Sequence, residues 1–141
     1  MQQPNGCLAS SLVTSQGGAG SDSLLDIHEI PNLWLDADLV VLSACDTGAG
    51  LDGSGGAALG GLVSTFSYAG ARNLLVSNWK VDSTATELLM TNVFTSKAAT
   101  QGEALSAAER QFMDRSDAYS HPFYWAAFSI VGDGRRPQPR M

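Results

Sequence analysis

Cys45 is the strongest candidate for a catalytic residue in this sequence because of the residues that surround it. Four consecutive apolar residues, Leu39 to Leu42, precede it, and the polar residues Ser43 and Asp46 lie close by. A thiol attacks a carbonyl carbon as the thiolate, but with a pKa of about 8.5 it is only a few per cent ionised at neutral pH. A histidine base would supply the rest. Cys45 is thus a candidate nucleophile, set against the commoner role of a buried cysteine as a small apolar residue.

The run 39–42 is the element that must position this thiol. It has no polar alternation, which predicts a strand buried on both faces of the kind found in parallel sheets covered by helices. Such sheets bind ligands at the carboxyl ends of their strands, where Cys45 stands. A glycine-rich loop follows from Gly48 to Gly61. The sequence therefore predicts a crevice around Cys45.

The remaining segments alternate between strand and helix patterns. A short strand is predicted within 8–13 and a helical turn at best over 24–30, stopped by Pro31. A helix is expected from about 57 to 68, with Gly70 after its end, and a second buried strand at 72–77. Thr84 to Glu87 has the form of a capping box that opens a helix to about 96. A helix over 103–115 and a strand over 123–131 follow, and this alternation predicts an α/β fold with a mostly parallel sheet.

The segment from Leu39 to Thr47 resembles the cysteine-bearing strand of the CHAT domain, a caspase-like cysteine peptidase module of clan CD. The resemblance spans roughly residues 23 to 133, and its further blocks occur in the family's order at 70–72, 77–82 and 121–128. It implies a caspase-like three-layer α/β/α sandwich. It also implies that Cys45 is the nucleophile of a Cys/His dyad.

The family's histidine stands at the end of the preceding strand and is followed by a glycine whose N–H helps to form the oxyanion hole. This sequence has no hydrophobic run that ends in His-Gly. His28 precedes the central strand and His121 precedes Pro122, so neither is expected to replace it. We interpret residues 1–22 as a loop-rich remnant, 23–134 as the carboxyl-terminal portion of a CHAT domain truncated at its amino-terminal edge, and 135–141 as a disordered tail.

Three further residues are candidates for a substrate pocket: Asp46, Trp79 and Asp82. In caspase-like folds the loop that holds Trp79 and Asp82 lines the pocket, although Trp79 also suits a core and Asp82 a helix cap. Asp46 would raise the pKa of the neighbouring thiol and so is not its activator. If either carboxylate faces the crevice, a basic residue before the scissile bond would be favoured.

The resemblance implies a cysteine endopeptidase that acts on a protein or peptide substrate. Because the His-Gly motif is missing, the 141 residues are predicted to be inactive alone. The alternative is a non-catalytic pseudo-peptidase or protein-interaction module in a signalling protein that also carries TPR repeats, since CHAT proteins often have such repeats upstream.

Composition excludes several other classes. The net charge of −6 and the lack of a basic stripe argue against nucleic-acid binding. No apolar run suits a membrane span and no signal peptide is recognisable, so a cytoplasmic location is expected. Cys7 and Cys45 could in principle pair, but a single bridge in a chain of this size is not a disulfide framework. No cofactor or metal is predicted: the GxGxxG of Gly48 to Gly53 is not followed by a helix start, and Leu51 stands where a cysteine phosphatase needs arginine.

Overall fold

The computed structural model describes residues 11–13, 24–42 and 55–135, which form five strands and three α-helices. The strands are β1 (Ser11–Val13), β2 (Leu24–Asp26), β3 (Val40–Leu42), β4 (Leu74–Ser77) and β5 (Phe128–Val131). The helices are α1 (Gly55–Tyr68), α2 (Ser83–Thr95) and α3 (Gln101–Met113). Short 3₁₀ turns occur at Ile30–Asn32, Ala118–Ser120 and Pro122–Tyr124.

The main sheet has the order β3-β4-β5. β3 runs parallel to β4, with Val41 opposite Leu75, and β5 runs antiparallel to β4, with Phe128 opposite Ser77. β1 and β2 form a separate antiparallel pair. The α/β class is therefore confirmed. The described sheet is mixed, and the expectation of a mostly parallel three-layer sandwich stays a prediction.

Helices cover both faces of this sheet because side chains alternate along β4. Leu74 and Val76 pack with Leu62 and Phe66 of α1 in one core cluster. Leu75 points to the other face, where it belongs to a cluster built from α2, α3 and the start of β5. Leu74, Leu75 and Val76 are each only 1% exposed, so β4 lies at the centre of the core.

The prediction that the strand before Cys45 is buried on both faces is wrong for β3. Leu42 is buried, but Val41 is 37% exposed. Among the described strands, β3 pairs only with β4, so it lies at an edge, where the helices of the Leu75 face cover it incompletely. The four apolar residues from Leu39 to Leu42 resemble those of a central strand, but β3 lies at an edge of the described sheet.

The second strand and the helices follow the sequence pattern closely, except that α1 begins at Gly55, so the expectation that no helix start follows the GxGxxG of Gly48 to Gly53 is wrong. All four residues of β4 are buried, as predicted. Gly70 ends α1 with φ +106°, and its neighbour Ala71 donates to the carbonyl of Phe66 at 3.0 Å. This is the left-handed helix cap for which glycine is favoured. The helix after β4 begins earlier than its capping-box pattern indicated, because Asp82 and not Thr84 is the N-cap.

Two segments differ from their predictions. Residues 24–26 are a strand paired with β1, and Pro31 lies inside the first turn of a 3₁₀ helix, a position that tolerates proline. The last strand begins at Phe128 and not at Phe123, since Pro122 and the side chain of His121 start a 3₁₀ turn there. The first difference arises from pairing between β1 and β2, and the second from local turn chemistry that overrides the apolar pattern.

A buried polar network joins the end of β5 to the rest of the fold. The Asn73 side chain, which is fully buried, donates to Gln101 Oε1 at 2.9 Å and accepts from the Gly134 N–H at 3.3 Å. Gly102 N–H in turn donates to the Gly134 carbonyl at 2.9 Å. These bonds fix the first turn of α3 and the chain after β5 against the amino end of β4.

Candidate functional site

The carboxyl ends of β3 and β4 meet at one edge of the sheet, because the two strands are parallel. Leu42 pairs with Val76, and the chain reaches Cys45 three residues beyond Leu42. Cys45 and Asp46 lie outside the described residues, so their roles as nucleophile and pocket residue stay predictions. What the structure describes is the rest of this edge: the loop after β4 and the segment before β5.

Trp79 lies at this edge and is 40% exposed, so it is not simply a core residue. Its indole Nε1 donates to the Phe123 carbonyl at 2.9 Å, and the two rings lie 6.5 Å apart at a 30° tilt. The loop after β4 and the 3₁₀ turn at 122–124 therefore form one continuous surface. Whether Trp79 contacts substrate stays a prediction.

Asn78 fixes the same loop, and sequence reasoning missed it. Its backbone N–H donates to the Ala127 carbonyl at 2.8 Å, while its side-chain amide donates to that carbonyl at 2.9 Å and to Ser129 Oγ at 3.0 Å. An asparagine directly after a strand is the signal that was available, because its short amide suits backbone contacts. These bonds hold the start of the Trp79 loop to β5.

Asp82 caps α2, which is the structural role that sequence analysis set beside its pocket role. One carboxylate oxygen accepts from the Ala85 N–H at 3.0 Å, and the residue is exposed. An aspartate at this position satisfies a backbone donor that the helix itself leaves free. Its geometry therefore explains its presence without a substrate.

Removing this cap gives a measurable prediction. Asp82→Ala should lower the free energy of unfolding by about 1 kcal/mol, because the Ala85 N–H loses its acceptor. Urea denaturation of the purified chain measures the change. Asp82→Asn is the matched control, since asparagine caps helices as well as aspartate, and it should leave the midpoint nearly unchanged. Equal losses in both variants would show that the charge, and not the cap, matters.

The two histidines lie in different places. His28 is exposed in the turn that follows β2. His121 is exposed at the carboxyl edge of β4, and its Nδ1 accepts from the Phe123 N–H at 3.2 Å. Within the described residues, neither imidazole is hydrogen-bonded to a carboxylate that would orient it as a base. His121 instead starts the 3₁₀ turn at 122–124, in keeping with the structural role predicted for it.

A cluster of rings before β5 forms a cavity that the sequence did not predict. The cavity has a volume of about 460 Å³ and is lined by Ala118, His121, Phe123 and Tyr124. We call this cavity the aromatic cleft. Its lining comes from four positions within seven residues, all in turns where no helix or strand period marks a shared face. The cluster of aromatic residues between 119 and 125 was the one feature of the sequence that could have indicated this cavity.

An ion pair supports the base of the aromatic cleft. Arg115 Nε donates to Asp117 Oδ1 at 2.9 Å, and Asp117 also accepts from the Tyr119 N–H at 3.1 Å. The hydrogen bond from Arg115 lowers the pKa of the Asp117 carboxyl, and the hydrogen bond to Asp117 raises the pKa of Arg115. Both groups therefore stay charged across the neutral range.

The described part of the chain contains no group of three or more His, Cys, Asp or Glu side chains placed to hold a metal ion. Its helices include none that is both long and apolar enough to cross a bilayer.

Comparison with known proteins decides the family. The family model for the CHAT domain matches residues 2–133. This chain belongs to the CHAT domain family. CHAT domains are related to caspase-like peptidases. The match begins before β1 and ends just after β5.

A curated relative is much longer than this chain. The chain is 31% identical over 115 residues to tetratricopeptide repeat protein 28 of Mus musculus. The aligned part covers 77% of this chain but only 4% of that protein. The chain therefore matches a small fraction of the relative's length. No solved structure matches the chain.

Proposed function

We propose that this chain is the carboxyl-terminal portion of a cysteine endopeptidase domain. The observation that carries the proposal is the position of β3: it is the parallel neighbour of the buried β4, and in the sequence Cys45 stands three residues beyond its end. Family membership supports the same reading. In the complete domain, we expect the sheet to be the mostly parallel centre of a caspase-like three-layer sandwich.

The proposed reaction has two steps. The Cys45 thiolate attacks the carbonyl carbon of a peptide bond, the C–N bond breaks, and the leaving amine takes a proton from the histidine. Water then attacks the resulting thioester, gives a proton to that histidine and releases the carboxylate product and the thiolate. Trp79 and Asp46 belong to the proposed pocket, whereas Asp82 supports the pocket through α2.

The base of this reaction is proposed to come from a strand outside these 141 residues that ends in His-Gly. Two observations support this: the His121 imidazole accepts from the Phe123 N–H, and His28 lies in the turn after β2. Positioned acid–base help is worth about 10²–10⁴ in rate. The 141-residue chain alone is therefore proposed to turn over peptides slowly or not at all.

A non-catalytic role is the second candidate. The curated relative is a tetratricopeptide repeat protein, which favours a protein-interaction setting. In this case the chain would serve as a pseudo-peptidase or docking module beside TPR repeats. In both cases the proposed partners are proteins or peptides and not nucleic acid or membrane, since the net charge is −6. A cytoplasmic location is proposed with them.

Labelling with a peptide-based thiol probe tests the enzyme proposal. The 141-residue chain and the gene product that carries it should be compared, each with Cys45→Ala and with Cys7→Ala as the matched thiol control. In the longer product we expect labelling and peptide cleavage that Cys45→Ala abolishes, by at least 10³-fold in cleavage rate, and that Cys7→Ala leaves intact.

Two results would contradict parts of this proposal. If Cys45→Ala leaves both readouts of the longer product unchanged, the peptidase assignment is wrong and the interaction module gains support. Rapid Cys45-dependent cleavage by the 141-residue chain alone would show that no outside histidine is required.

A further inference from the structure

The aromatic cleft lies beside the candidate site, and one of its lining residues, Tyr124, also packs against the core cluster. Phe123 is 46% exposed and stands at the mouth of the cavity of about 460 Å³. We propose that the aromatic cleft binds one apolar side chain, aromatic or large aliphatic, of the peptide substrate. This inference rests on the proposed peptidase function and adds a substrate class to it.

The walls of the cleft are held in place before any ligand binds. Tyr124 packs edge-on against Phe123, with centroids 5.4 Å apart, and edge-on against Tyr119 at 5.1 Å. Arg115 stacks over Tyr119 at 5.4 Å and over the buried Phe112 at 5.6 Å. Rings fixed in this way lose little freedom when a side chain enters, so more of the contact energy appears as affinity.

The cleft also adjoins the sheet edge at which Cys45 is proposed to act. The Trp79 indole bonds to the Phe123 carbonyl, so the cleft adjoins the loop after β4. In the sheet, β5 is two strands away from β3, which corresponds to about 9.5 Å. An extended peptide crosses this distance in about three residues. The side chain in the cleft would therefore belong to a residue two or three positions from the scissile bond.

The chemistry of the lining favours an apolar occupant. The four lining residues include no carboxylate that would pair with lysine or arginine. Asp117, which immediately precedes the lining residue Ala118, is engaged by Arg115. His121 uses Nδ1 to accept from the Phe123 N–H, so Nε2–H is the one polar group that its ring can still offer as a donor. Ring faces and a methyl group remain for contact.

Binding of blocked tetrapeptides to the 141-residue chain tests the proposal without turnover. The peptides differ only at the third residue from the amide end, which is Phe, Leu, Arg or Asp, and affinities are measured by calorimetry. We expect the Phe and Leu peptides to bind at least tenfold more tightly than the Arg and Asp peptides. Phe123→Ala should remove this preference. Tyr68→Ala, which truncates an 81% exposed ring at the far end of α1, is the matched control and should preserve it.

The outcomes separate this proposal from the peptidase assignment. Equal or tighter binding of the Arg peptide, as cation–π contact with the rings would give, overturns the proposal. So does an unchanged preference in Phe123→Ala, or no measurable binding of any peptide. Cys45→Ala should keep the preference. Selective binding without Cys45-dependent cleavage would reject the enzyme alone, and cleavage without the preference would reject the cleft alone.

Discussion

Gly132→Ala is expected to destabilise the fold by about 3 kcal/mol or more. Gly132 has φ +133°, a conformation that residues with a Cβ rarely adopt and that costs about 1–3 kcal/mol. A Cβ there would overlap Asn73 Oδ1 and Cγ and would lie 2.9 Å from the Arg72 carbonyl oxygen. Asn73 is fully buried, so moving its amide would break its bonds to Gln101 and Gly134, at a further 1–3 kcal/mol.

Urea denaturation monitored by circular dichroism measures this loss. Gly60→Ala is the matched control, because a Cβ at Gly60 in α1 meets no atom within 4 Å. Alanine in a helix interior is favoured over glycine by about 0.5–1 kcal/mol, so this control should stabilise the chain. Similar unfolding midpoints for the two variants would show that the contact between Gly132 and Asn73 is unimportant.

Phe112→Ala is expected to cost about 3–5 kcal/mol, the range for removing a fully buried phenylalanine. The Phe112 side chain has no solvent exposure and sits in the core cluster between α3 and the sheet. Its loss would leave a cavity and would also remove the ring on which Arg115 rests. Since Arg115 also stacks on Tyr119, the walls of the aromatic cleft should loosen with it.

Met113→Ala is the control from the adjacent position. Met113 is 55% exposed, so its truncation should change the free energy of unfolding by less than about 0.5 kcal/mol. Thermal unfolding gives the stability difference, and near-ultraviolet circular dichroism reports the packing of the tyrosines. A Phe112→Ala chain as stable as Met113→Ala would place the ring outside the core.

How well the sequence predicted the fold depended on whether a feature was local. β4, α2 and α3 were predictable because their apolar spacing and caps lie within a dozen residues. The edge position of β3 was not, since Leu39 to Leu42 are as apolar as a central strand and burial depends on which neighbours pair with it. The 3₁₀ turn at 122–124 was not predicted because Phe123 and Tyr124 are aromatic residues, which also favour strands.

The same distinction applies to the candidate site. Cys45 and Trp79 were named because each follows an apolar run, and the structure places Trp79 at the expected edge. The aromatic cleft could not be predicted from the sequence, because its walls depend on contacts between rings in two different turns. The hydrogen bond between Asn73 and Gln101 joins residues that are 28 positions apart, so no local sequence pattern predicts it.

The alternation of side chains along β4 has a mechanical consequence. Leu75 contributes to the helical layer on one face, and Leu74 and Val76 contribute to the layer on the other. If either helical layer unfolds, β4 loses the packing on that face, and the layer on the opposite face is destabilised as a result. The two helical layers are therefore coupled through three adjacent side chains of β4. We expect no stable intermediate in which one layer is unfolded and the other is intact.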